Sequence, residues 1–268
     1  MNKEIKAVFD YVTRVSPWPD NTPDQVVWEC AERAAKDLLD AEHTKLKQVF
    51  RLSGQSGCGK TTQLLPSILM YQEQQGNKPI VIAVRTFPKY HPSYEEILCT
   101  APAGELRERT NGFALKCLAA CLNIVFRAGA LVILDLTILD PIFEEFIVGQ
   151  IWSSNYDAQF HILAVSREQS NAFIEARERG EGRVVYKATS DYFFDILPKG
   201  LGFLASADRT SHAIVWTAYD KEPIYAGNLQ GATKALQQGR AMRGELRYNE
   251  DELRAAKVNY LIAKNLVF

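Results

Sequence analysis

Two rhythms of apolar residues alternate along this chain. Short, mainly apolar runs stand at 49–52, 79–84, 131–135, 160–165 and 213–219. Their length and continuity suit strands buried on both faces, as in a parallel sheet. Between them the apolar positions recur every three or four residues, which is the spacing of one helix face. Within 24–47 that face is Val27, Cys30, Ala34, Leu38 and Ala41; within 110–128 it is Ala114, Leu115, Leu118, Leu122 and Val125. Boundary signals agree with this division. Asp24 is placed to cap the first of these helices and Gly129 to end the second. Asp140 and Pro141 open a third as cap and first-turn proline, and Ser166 caps a fourth. A helix is predicted over 60–75, bent early by Pro66 and ended near Gly76. The proline-rich stretch 16–24 interrupts the N-terminal region, and 229–268 reads as helical. The pattern predicts an α/β fold, a mostly parallel sheet with helices on both faces, plus an N-terminal helical segment and C-terminal helices.

Charge and cysteine usage narrow the function classes. Lys and Arg number 31 against 32 Asp and Glu, and the two signs are mixed along the chain. A dedicated nucleic-acid surface needs a concentrated basic face, so nucleic acid is an unlikely partner; a nucleotide-sized ligand needs only two or three cations. No unbroken apolar run reaches the roughly 18 residues of a membrane-spanning helix. The N-terminus carries acids within its apolar stretch and does not resemble a signal peptide. Cys30, Cys58, Cys99, Cys117 and Cys121 are scattered, without metal-ligand spacing, which suits core packing in a reduced, cytoplasmic protein.

One segment carries specific chemistry. GQSGCGKTT at 54–62 fits G-x-x-x-x-G-K-[ST] and lies between a predicted strand and a predicted helix. Gly54, Gln55, Ser56, Gly57, Cys58 and Gly59 would wrap an anion with backbone N–H groups, and the following helix adds the positive end of its dipole. Lys60 would reach the β and γ phosphates of ATP, with Thr62 completing the loop; the Thr61 hydroxyl would ligate Mg2+. Asp135 ends a buried run, LVILD, and would emerge at the carboxyl end of its strand, where parallel sheets bind ligands. There it would hold a magnesium-bound water or orient the nucleophile.

With these segments in place the chain resembles the zeta toxin family, P-loop kinases of bacterial toxin–antitoxin systems that phosphorylate UDP-activated amino sugars. The marks are LSGQSGCGKTT at 52–62, TFPKYHPSY at 86–94, Phe113-Ala114, ILDLT at 133–137, SREQS at 166–170 and the arginine stretch RERGEGR at 177–183. The resemblance implies a P-loop kinase domain, placed at 48–228; segment 1–47, a candidate regulatory element, precedes it, and C-terminal helices 229–268 are expected to pack on it. It implies Arg183, with Arg177 or Arg179, as a clamp on the transferred phosphoryl group, and His91, Tyr94 and Thr137 on the acceptor side.

The chain also departs from the family. Arg85 stands where the family has its base Asp. Asp135, Leu136 and Leu139 replace the Glu, Gly and Arg of the family's strand end, and Ala119 replaces a Glu that helps hold the amino sugar. Arg85 suits bidentate contact with an anionic group of the acceptor, and Asp135 or Asp140 could replace the base. The expected function is an ATP-dependent, Mg2+-requiring kinase acting on a nucleotide-linked small molecule, a UDP-amino sugar or an NAD-like dinucleotide, and possibly a toxin. The alternative is a nucleotide-binding regulator that has lost transfer. A separate antitoxin is an expected partner, and the helix within 24–47 could serve as a cis-inhibitor, a docking surface or simple packing.

Overall fold

The computed structural model describes residues 3–16, 20–102, 105–181, 187–207, 211–242 and 248–264. Its strands are β1 (Gln48–Ser53), β2 (Ile80–Ala83), β3 (Val132–Asp135), β4 (Asp157–Ala164), β5 (His212–Thr217) and β6 (Tyr225–Asn228). They form one sheet in the order β2-β3-β1-β4-β5-β6, parallel except for the β5–β6 pair. The five apolar runs read in the sequence are the parallel strands. Antiparallel β6 was not among them, because YAGN is short and half-exposed.

Helices cover both faces. On one lie α1 (Lys3–Val15), α2 (Asp24–Asp40), α5 (Leu106–Ala128), α6 (Pro141–Ser153), α8 (Lys187–Ala207) and α9 (Leu229–Ala241), packed on Val49, Val132, Leu134, Phe160 and Val215. On the other, α3 (Leu65–Gln74) and α10 (Glu250–Ala263) meet Phe50, Leu52, Ile133, Leu163 and Trp216. Two further helices, α4 (Tyr94–Thr100) and α7 (Arg167–Glu181), follow β2 and β4. The central place of β1 sets its outgoing loop between the ends of β3 and β4.

Local chemistry explains several boundaries. Gly129 ends α5 at φ 73°, and Asp140 accepts from Ile142 N and Phe143 N to cap α6. Ser166 Oγ accepts from Gln169 N. Asp24 is not the cap expected of it. It is the first residue of α2, Pro23 precedes it, and its carboxylate instead takes Lys6 Nζ at 2.7 Å. The helix predicted over 60–75 divides into a π-helical turn, Lys60–Leu64, and α3. Pro66 has no N–H to offer the Thr62 carbonyl four residues earlier, so the α-helical ladder cannot run through this point.

By length and composition Glu108–Ala128 of α5 could cross a membrane, but 72% of that window is buried inside the molecule. Its apolar surface is used by α1, α2 and the sheet. In α1, Ile5, Val8, Phe9 and Val12 form the buried stripe. Helix α2 packs on α5 and the Pro88–Tyr90 turn.

Candidate active site

The loop after β1 turns on glycines that no other residue replaces at low cost. Gly57 has φ 75°, and a Cβ there would lie 2.5 Å from the Ser170 carbonyl oxygen; Gly54 has φ 149° and would press on Cys58 and Leu163. Side chains then fix the loop from both flanks. Gln55 is buried and donates to the Val165 carbonyl at 2.5 Å, and the Ser170 hydroxyl donates to the Ser56 carbonyl. Thr137 Oγ1 donates to the Gly54 carbonyl at 2.8 Å, tying the segment after β3 to the loop. The Lys60 ammonium arches back over the loop, 2.5 Å from Gly54 O and 3.2 Å from Gln55 O. Thr61 is exposed at the start of the π-helical turn, and Thr62 is half-buried beside it.

Strand order brings Asp135 to this loop. Its register partner on β1 is Leu52, two residues before Gly54, and its partner on β2 is Ala83, two before Arg85. The Asp135 side chain is only 2% exposed, and Arg85 Nη1 donates to its Oδ2 at 2.6 Å. Arg85, expected to face an acceptor anion, is therefore paired within the chain. Asp140 is also engaged, as the cap of α6 through Ile142 N and Phe143 N.

Other predicted residues lie farther out in the bonding network. His91 accepts at Nδ1 from Ser93 N and meets Thr22 Oγ1 at 3.3 Å and Asp20 at 3.8 Å through Nε2. Burial pushes the Asp20 carboxyl up, but the bonds from His91 and Thr22 outweigh it and hold the group below the ordinary range. Tyr94 opens α4, bonded through its N–H to the His91 carbonyl. Arg177 and Arg179 fall in α7, Arg179 exposed, and Arg183 lies outside the described residues.

Three arrangements had no signal in the sequence reading. Arg51 of β1 and Glu144 of α6 form a doubly bonded pair at 2.5 and 2.6 Å, both fully buried, and Glu144 also accepts from Leu139 N at 2.7 Å. A charge inside a buried strand demands a partner, and that demand was the available clue. Arg240 of α9 donates to Gln55 Oε1 at 3.3 Å and to the Phe194 carbonyl, with its guanidinium 3.8 Å from the Phe194 ring centre. Arg167 lies over the same ring, and burial, with Arg167 nearby, brings Arg240 down to about 10. Lastly, Arg254 of α10 donates to the Thr62 carbonyl at 2.7 Å, the oxygen that Pro66 cannot serve.

The zeta toxin family model matches residues 33–230, well over half of the chain. The chain belongs to the zeta toxin family. Its P-loop kinase fold also resembles solved structures. One comes from the PezAT chromosomal toxin–antitoxin system of Streptococcus pneumoniae, at 19% identity over 90% of this chain and 98% of that one, with TM-score 0.66. Another is the AvrRxo1-ORF1:-ORF2 complex with ATP, at 11% identity over 96% of this chain and 84% of that one, with TM-score 0.50. At such identities the likeness is one of fold. No curated protein sequence matches the chain. Within this zeta toxin family member α10 and most of α9 lie beyond the matched span, so Arg240 and Arg254 reach the phosphate loop from outside it.

Proposed function

We propose that the protein is an ATP-dependent kinase of the zeta-toxin type that phosphorylates a hydroxyl of a nucleotide-linked small molecule, a UDP-amino sugar or an NAD-like dinucleotide. The observation that carries this reading is the convergence of Lys60, Thr137 and Asp135 on one glycine loop from two adjacent strands. Gly54 to Thr62 would cradle the phosphates, and the Lys60 ammonium would exchange its two carbonyl partners for β and γ oxygens. Arg183, with Arg177 or Arg179, would meet charge building on the transferred group.

Thr61 and Asp135 offer hard oxygen donors that fit magnesium. This ion keeps most of its shell as water and phosphate oxygen and needs only one or two protein ligands. When bound it would supply charge neutralisation at the β and γ phosphates. In the transfer the acceptor oxygen bonds to the γ phosphorus, the bond to the β–γ bridging oxygen breaks, and ADP leaves. The transition state is loose, so the hydroxyl proton departs late, to water, and positioning dominates the rate. With Asp140 capping α6, Asp135 is the carboxylate this site offers. The free cysteines suit action in a reducing cytoplasm. An antitoxin would act in trans, since α2 rests on α5.

The Arg85–Asp135 pair favours a second reading, an ATP-binding regulator whose key carboxylate is neutralised. Expression in bacteria separates the two. The kinase reading expects growth arrest and accumulation of a nucleotide-linked metabolite one phosphate heavier, both abolished by Lys60→Ala. Unchanged metabolites beside intact ATP binding would favour the regulator.

A further inference from the structure

Asp135 is a carboxylate buried to 2% at the end of a parallel strand, and a buried carboxylate needs a cation or several donors. Its cation here is Arg85, which holds it through Nη1 while the arginine side chain stays 46% exposed. Among the described residues no other bond is recorded for that guanidinium, so one edge of its five-donor fork is turned away from Asp135. The backbone leaves little room for a chance contact. Ala83 and Asp135 are register partners on neighbouring strands, and Arg85 leaves β2 in a tight turn, Val84–Thr86, that brings it alongside. Asp135 is also the carboxylate assigned above to magnesium. Arg85 engages only Oδ2, and a divalent cation on the same carboxylate would stand within a few ångströms of the guanidinium, so the two charges repel.

We propose that Arg85 is a two-position residue. Paired with Asp135 it opposes loading of the divalent cation; displaced by that cation it turns its fork to an anionic group, a phosphate or diphosphate, on the acceptor. The proposal rests on the kinase reading and narrows it: the acceptor carries an anion near the hydroxyl that is phosphorylated, and cation and acceptor bind cooperatively. An arginine at this position inverts the charge a base would present, and it matches bidentate contact with a phosphate. The coupling is reciprocal, so an anion that engages Arg85 also frees Asp135 for the metal.

The test titrates Mn2+, followed by electron paramagnetic resonance, into the full chain saturated with ADP. Arg85→Ala is expected to tighten Mn2+ binding roughly five- to tenfold, the scale of one charge-assisted contact released from a half-exposed pair. Sulfate, a stand-in for the acceptor's phosphate that binds Mn2+ only weakly, is expected to tighten Mn2+ binding in the unaltered protein and to do so much less in Arg85→Ala. Equal or weaker Mn2+ binding in Arg85→Ala, with Asp135→Asn still losing it, would overturn the two-position role and leave the kinase reading standing. Mn2+ binding unaffected by Asp135→Asn would overturn Asp135 as the metal ligand and with it the two-position role, whereas the kinase reading falls only if labelled ATP yields no phosphorylated acceptor. Arg85→Lys, which keeps charge but not the fork, should retain the metal competition and lose the sulfate response.

Discussion

The pair between Arg51 and Glu144 joins the strand that enters the phosphate loop to the helix that follows β3. Both side chains are fully buried, and Glu144 Oε1 also receives Leu139 N, so one carboxylate holds β1, α6 and the segment that carries Thr137. Glu144→Gln keeps the shape and an oxygen for Leu139 but leaves the Arg51 charge buried without a counter-ion. Removing one partner of such a pair costs about 3–5 kcal/mol, a large share of the roughly 5–15 kcal/mol that holds a domain together. Replacing both with methionine removes the charges together and is expected to cost much less than the single change. Glu144→Leu also strips Leu139 N of its acceptor, adding about 1–3 kcal/mol and loosening the Thr137 contact to Gly54. Urea unfolding followed by fluorescence of the buried Trp216 measures all three. A cost below about 1 kcal/mol for Glu144→Gln, or a double variant as costly as the sum of its singles, would refute the reasoning.

Further outcomes follow from other buried groups. Burial holds the His161 imidazole at about 3; below its ordinary value near 6.5 the unfolded chain takes a proton that the folded chain refuses. Stability therefore falls by about 1.4 kcal/mol per pH unit as pH drops from 6.5 toward 3. His161→Asn should remove one proton's worth of that slope in acid-unfolding curves, leaving a remainder from His212, also lowered by burial. Lys257 is fully buried beneath α10, without a hydrogen-bond partner among the described residues, and burial brings it down to about 8 against the pull of Asp220. Lys257→Met is expected to stabilise the protein by about 1–3 kcal/mol at pH 7. That gain should shrink as pH rises from 8 to 10.5, where the unaltered lysine sheds its charge in the fold first. Arg254→Ala should weaken ATP binding about fivefold in calorimetry by freeing the Thr62 carbonyl, with little change in overall stability.

The sheet was legible because each parallel strand carries a short, mainly apolar run, and the phosphate loop because its chemistry lies within nine consecutive residues. What escaped reading depends on distance along the chain. Arg85 and Asp135 are 50 residues apart, Arg51 and Glu144 93, and Thr62 and Arg254 192. Each pair meets only once the strand order and helix faces are fixed, and no periodicity encodes that. The Arg85 fork was read for an external anion because its internal partner lies on the neighbouring strand. Asp140 was read both as a helix cap and as a candidate base, and the capping bonds to Ile142 N and Phe143 N are present. Asp24 missed its cap position by one residue, since Pro23 fixes the backbone where the helix begins. Helix α8 was hidden by Pro198, which ordinarily argues against a helix interior.

The central claim is phosphoryl transfer, and its most direct measurement is the fate of the γ-phosphate of labelled ATP. Purified protein and its Lys60→Ala variant would each be given magnesium and a panel of UDP-sugars, NAD and small nucleotides. The account predicts a labelled acceptor formed in step with ADP and absent from the variant, with acceptors that carry a phosphate or diphosphate preferred. Full ATP binding by calorimetry with no labelled product from any acceptor would contradict it.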